Sequence, residues 1–188
     1  MCIIINKPTI GGLPNHVIKN SIEKNPHGMG FIELDTGKLF KTRDKNEMKL
    51  LLKQKSPFIA HCRYATVGGI NRKNIHPFRF ELDGGSGGLL FQNGTVNGFA
   101  DYRSDSANMA DLISMVKKKQ IRNFLESFES RFLIYWDGGK VEMFGDWTSK
   151  HGAFFSKTNV LAKEENPVYL WGNRYYSNKK YWQQTQTS

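Results

Sequence analysis

The hydrophobic pattern of this chain switches repeatedly between the period of a strand and that of a helix. Cys2-Ile3-Ile4-Ile5 is a continuous apolar run, read as a buried strand. Gly11-Gly12 turns the chain, and Pro14 opens a helix in which Val17, Ile18 and Ile22 fall near helical spacing as far as Lys24. Turn residues at 25–30 end it. Phe31–Leu34, Asp35-Thr36-Gly37 and Lys38–Thr42 read as strand, tight turn, strand. A helix is predicted over 44–54, with Asp44 as its cap and Met48, Leu51 and Leu52 as its apolar face. Residues 57–62 form a further strand that runs into a small-residue loop at 63–69.

Phe80–Leu82 is extended, 83–88 is a glycine-rich loop, and Leu89–Gln92 is a buried strand that stops at Asn93-Gly94. Ser104-Asp105-Ser106 starts a helix carrying Ala110, Leu112, Ile113 and Val116, and a second helix covers roughly 120–129. Residues 131–136 and 140–144 form a hairpin about Asp137-Gly138-Gly139, and 152–156 and 168–171 are short strands. The tail after Asn178 is polar and reads as loose or helical, with 179–188 flexible. Long apolar strands packed with helices predict a layered α+β fold. No repeat or linker interrupts it, so residues 1–188 read as one domain.

Composition narrows the class. The chain has 188 residues, 39% hydrophobic and 13% aromatic, which excludes a disordered polymer and provides for a sizeable core. No apolar run approaches the roughly 18 residues needed to span a bilayer, and the N-terminus lacks a signal-peptide pattern. A cytoplasmic protein with no membrane association is therefore expected. The formal charge is +10, from 27 Lys and Arg against 17 Asp and Glu. Such a surface attracts nucleic acid or an acidic partner, or serves solubility alone. His16, His27, His61, His76 and His151 are scattered, and Cys2 and Cys62 lack the paired spacing of a zinc site, so no metal is expected.

The candidate chemistry begins at Cys2. A small side chain behind Met1 lets the initiator be removed, leaving a thiol and a free α-amine on one carbon. An α-amine with a pKa of about 7.7–8.0 can be neutral near pH 7 and activate its own thiol. Read alone, Cys2 is equally the incidental second residue of a strand. Arg63 alone is a surface charge, Asn93-Gly94 a common turn, and Asp105 a carboxylate favoured by a helix N-terminus.

Four stretches in order change that reading: Met1-Cys2, His61-Cys62-Arg63-Tyr64-Ala65-Thr66, Gln92-Asn93-Gly94-Thr95-Val96-Asn97 and Ser104-Asp105-Ser106. Together they resemble the class II glutamine amidotransferase domain, an N-terminal-nucleophile hydrolase. The resemblance runs from residue 1 to about 115, and residues 25–31 match more weakly a glycine-bearing loop near the pocket. It implies a four-layer αββα sandwich of two antiparallel sheets. It also implies that Cys2 is the nucleophile and that Asn93 and Gly94 stabilise the oxyanion. Arg63 would take the glutamine α-carboxylate with help from Thr66 and Val67, and Asp105 would take the α-ammonium.

The chain departs from the family in having Ile3 where glycine is usual after the cysteine, and Val67-Gly68 where His-Gly often stands. Cys62 reads as a core strand residue. The resemblance implies no cofactor. It implies L-glutamine as substrate and a stand-alone glutaminase that passes ammonia to a separate synthase subunit, with a nucleotide or nucleic acid as the acceptor that the charge suits. An N-terminal-nucleophile amidohydrolase acting on a γ-glutamyl or other amide, which Ile3 favours, and a non-catalytic basic binding protein are the alternatives.

Overall fold

The computed structural model describes residues 2–65, 69–96 and 104–162, together with the backbone of two short strands at 169–171 and 174–176. Thr66, Val67, Asn97 and the polar tail after Asn178 lie outside the described residues. Strands β1 (Ile3–Lys7), β2 (Met29–Glu33), β3 (Leu39–Thr42), β4 (Phe58–Cys62), β9 (Thr148–Lys150) and β10 (Ala153–Phe155) build a six-stranded sheet in the order β3-β2-β4-β1-β10-β9. Strands β5 (Phe78–Glu81), β6 (Gly87–Asn93), β7 (Arg131–Trp136) and β8 (Val141–Phe144) build a four-stranded sheet in chain order. The pairings in both sheets are antiparallel. Strands β11 (Tyr169–Trp171) and β12 (Arg174–Tyr176) pair with each other.

Side-chain alternation divides the core into three layers. Ile3 and Ile5 of β1 join Met29, Phe31, Phe58, Ala60 and Cys62 in a core that also contains residues of α1 (Asn15–Glu23) and α2 (Lys45–Leu52). Ile4, Ile32 and Ile59 point the other way and meet Phe91 and Leu133 between the sheets. Leu90, Phe132, Ile134 and Trp136 cover the outer face of the second sheet beneath α3 (Asp105–Ser114) and α4 (Ile121–Glu126). Successive strand residues face opposite ways, so strands apolar on both faces are what a sandwich with helices on both outer surfaces requires. The predicted four-layer αββα arrangement is the fold observed.

Local chemistry places the element starts. Asp44 caps α2 by accepting from the Asn46 and Glu47 N–H groups at 2.7 and 2.9 Å, and Ser104 caps α3 by accepting from Ala107 N–H at 3.3 Å. The segment predicted as a single strand at 152–156 is the second arm of a hairpin. Its first arm, β9, is polar and short and shows no alternation. The predicted second helix is α4, which follows a 3₁₀ turn at Lys118–Gln120 and ends at Glu126, short of the expected 129.

Gly30 on β2 lies directly under the His76 carbonyl, and a Cβ at position 30 would occupy that oxygen's space. Gly30→Ala is therefore expected to cost about 3 kcal/mol of unfolding free energy, because backbone and not a flexible side chain must move. Denaturant unfolding of the two proteins checks this.

Candidate functional site

The register of the first sheet creates the site. Ile3 pairs with Cys62, so Cys2, just before β1, and Arg63, just after β4, emerge side by side at one end of the sandwich. The Tyr64 N–H donates to the Cys2 sulfur at 3.3 Å, and the Tyr64 carbonyl lies 3.4 Å from the same sulfur. Burial pushes the Cys2 thiol pKa up, while the hydrogen bond with Tyr64 and the Arg63 charge pull against that rise. A thiol in this setting is neutral near pH 7 and needs a base to become a nucleophile.

Arg63 is buried and its guanidinium donates to the Gly69 carbonyl at 3.3 Å. Desolvation lowers its pKa, and the Cys2 thiolate, where it forms, and Asp105 oppose the shift. Arg63 thus sits within electrostatic reach of both. The loop after α1 supports it: Arg63 N–H donates to the Gly28 carbonyl at 2.8 Å, and His27 N–H donates to the Arg63 carbonyl at 3.0 Å. His27 Nδ1 accepts the Ala65 N–H at 2.8 Å, and its ring stands 5.1 Å from that of Tyr64. The weakly matching segment at 25–31 is therefore part of the scaffold of this site.

The second sheet brings Asn93 and Gly94. Asn93 ends β6 with its side chain buried, and its amide nitrogen lies 2.8 Å from Ser156 Oγ. Ser156 follows β10; its Oγ accepts the Ile4 N–H at 2.8 Å and its own N–H donates to the Ile4 carbonyl at 3.0 Å. One hydroxyl therefore ties the end of β6 to the start of β1. Gly94 has φ +141°, and a Cβ there would run into the Ser130 side chain. Both facts require glycine at this position.

Asp105 opens α3. Its carboxylate accepts from Val96 N–H at 3.1 Å, Ser106 N–H at 3.0 Å and Gln92 Nε2 at 3.3 Å. These donors hold the carboxylate in one orientation, and its remaining lone pairs can take a cation.

Cys2, Arg63, Asn93-Gly94 and Asp105 thus come from four separated parts of the chain to connected places at one end of the fold. Thr66 and Val67 fall outside the described residues. Ile3, the departure from the family pattern, is fully buried in the core on the side of α1 and α2, away from the face that Ile4 presents between the sheets. Cys62 is buried in the same layer as Ile3, and its thiol is pushed up to about 12 by burial. Ser156 has no mark in the sequence, because its partners Ile4 and Asn93 are remote in the chain.

Beside Ser156 a cleft of about 400 Å³ is lined by Arg131, Trp147, Thr148, Lys157, Thr158 and Asn159, among others. Among the described residues no group of three or more His, Cys, Asp or Glu could hold a metal ion, and no helix is long and apolar enough to cross a membrane.

No known family profile matches the chain, and no curated protein does. A solved structure described as the allosteric regulatory enzyme of purine biosynthesis is similar to it in fold. The two share 20% identity with a TM-score of 0.51, over 86% of this chain and 43% of that one. The chain thus spans less than half the length of that structure. The likeness shows that the two share a fold.

Proposed function

We propose that this chain is a glutaminase of the class II glutamine amidotransferase type, which uses Cys2 as an N-terminal nucleophile. The observation that carries the reading is the convergence of Cys2, Arg63, Asn93-Gly94 and Asp105 on one end of the sandwich. The fold likeness to a glutamine amidotransferase supports it.

With Met1 removed, the Cys2 α-amine takes the thiol proton as sulfur attacks the glutamine side-chain carbonyl. The new C–S bond turns the carbonyl into an oxyanion, held by the Asn93 amide and the Gly94 N–H. The intermediate expels nitrogen, which takes the proton from the α-ammonium of Cys2 and leaves as ammonia. Water then attacks the thioester carbon, giving glutamate and restoring the thiol. The planar Arg63 fork holds the substrate α-carboxylate, assisted by Thr66 and Val67. Asp105 holds the α-ammonium at the far side of the same substrate.

The released ammonia passes to a separate acceptor, and the +10 charge favours an acidic one such as a nucleotide. Ile3, standing where the family has glycine, favours a second reading: hydrolysis of an amide with a bulkier leaving group.

Treatment with a glutamine-like alkylating analogue, followed by peptide mapping, tests the site. Label is expected on Cys2 and not on Cys62, whose buried thiol stays protonated. Label on Cys62 alone would remove Cys2 from the mechanism. Intact-mass measurement of the purified chain must also show loss of Met1. Comparing glutamine with γ-glutamyl amides as substrates separates the two readings.

A further inference from the structure

We infer that Ser156 is a positioning residue whose hydroxyl holds the Asn93 side-chain amide with its NH₂ group turned toward the reaction centre; this rests on the glutaminase reading. The argument is one of hydrogen-bond satisfaction. With Asn93 nitrogen on Ser156 Oγ, the hydroxyl accepts from both Ile4 N–H and Asn93, at 2.8 Å each. Asn93 Oδ1 is then buried without a hydrogen-bond partner among the described residues. The Ser156 proton has no use in that arrangement, and a buried acceptor goes unsatisfied, which native structures avoid.

The two ends of an asparagine amide are nearly the same in size and shape, so hydrogen bonding decides between the two orientations. Turning the Asn93 amide over changes the pattern without moving a heavy-atom position. The Ser156 hydroxyl still accepts the Ile4 N–H and now donates its proton to Asn93 Oδ1. Two groups are satisfied that were not before. The Asn93 NH₂ then occupies the unpartnered position, where it is a buried donor awaiting an acceptor. An oxyanion formed at Cys2 is such an acceptor, and a donor fixed before the reaction needs no reorganisation when charge develops.

The anchor matters as much as the proton. Ser156 is held by Ile4, two residues from Cys2, through its side chain and its backbone. The same hydroxyl therefore sets the oxyanion donor on β6 in register with the nucleophile on β1. Ser156 adds no charge and touches no reacting atom; it makes Asn93 point one way.

Kinetics and neutron diffraction together test this. Ser156→Ala is expected to lower kcat for glutamine by about 10- to 100-fold with KM changed less than about twofold, since an oxyanion contact is made only in the transition state. Ser156→Thr keeps the hydroxyl, and its added methyl has the adjoining cleft to enter, so it is expected to restore kcat to within about threefold of the parent. In an Asn93→Ala background, Ser156→Ala is expected to change nothing further, because there is no amide left to orient. A full kcat in Ser156→Ala, an equal loss in Ser156→Thr, or losses that multiply in the double variant would each overturn the inference. Neutron diffraction of the parent protein reads the orientation without any turnover. Asn93 Oδ1 facing a Ser156 deuteron is expected, and Asn93 ND₂ facing Ser156 Oγ refutes it. A parent protein that releases no glutamate overturns the glutaminase reading instead, and the neutron result still decides the orientation.

Discussion

Cys2→Ala is expected to reduce glutamate release from glutamine on the order of 10⁴- to 10⁶-fold, the range seen when a hydrolase loses its nucleophile. Folding should change little. Cys2 precedes β1, which is held by its backbone ladder to β4 and by the buried Ile3, Ile4 and Ile5. A coupled glutamate assay and a thermal melt on the same preparation check the two halves. A chain with an uncleaved N-terminal extension sharpens the result. It retains the thiol but loses the free α-amine, so a loss of about 10²- to 10⁴-fold is expected from the missing general base alone. The burial that raises the Cys2 pKa makes this base necessary. If the extended chain turns over as fast as the parent, some other group activates the thiol.

The second large effect is on stability in mild acid. His61 and His76 are fully enclosed between the sheets, with ring centroids 3.8 Å apart. His61 Nε2 lies 3.1 Å from the Gln92 carbonyl and donates to it, and its Nδ1 is without a partner among the described residues. Desolvation lowers the His61 pKa to about 3. It also lowers that of His76 well below the usual value, reinforced by His61, Lys41 and Arg63. Both folded-state values lie below the unfolded value of about 6.5, so the unfolded chain binds protons that the folded chain refuses.

The stability from these neutral rings is therefore complete above about pH 6.5 and is lost as pH falls toward 3. The loss is about 1.4 kcal/mol per pH unit for each histidine. Between pH 6.5 and 4.5 His61 alone would cost about 2 kcal/mol, and His76 adds to the loss in the same direction. Urea unfolding at pH 7.5, 6.5, 5.5 and 4.5 should show that slope, and a His61→Gln/His76→Gln variant should flatten it. Equal slopes in the two proteins would assign the acid sensitivity elsewhere.

Much of the fold was legible because its strands are apolar on both faces. Ile3-Ile4-Ile5 and Phe58–Cys62 could only be buried strands, and the sandwich uses both of their faces in separate core layers. The caps Asp44 and Ser104 stood where their side chains meet free helix N–H groups. Strand β9 escaped notice because it is short and polar, and its pairing with β10 comes from the turn at His151-Gly152, both at positive φ.

The candidate site was legible residue by residue through resemblance, since Arg63, Asn93, Gly94 and Asp105 each have a common structural role when read alone. Ile3, which stands where the family has glycine, points into the core layer beneath α1 and α2, while Ile4 faces the second sheet. Strand alternation sends it there, because neighbouring residues in β1 face opposite sides.

By itself, then, the sequence determined the element order, the two-faced strands and the residue types able to carry the chemistry. These follow from local periodicity and from side-chain chemistry, which are properties of short stretches. The tertiary structure alone decided which of those residues meet. The Ile3–Cys62 register puts Arg63 beside Cys2, Ser156 joins Asn93 to Ile4, and Ser130 denies Gly94 a side chain. The partners are as many as 152 residues apart in the chain, so only the closed sandwich brings their atoms into hydrogen-bonding range.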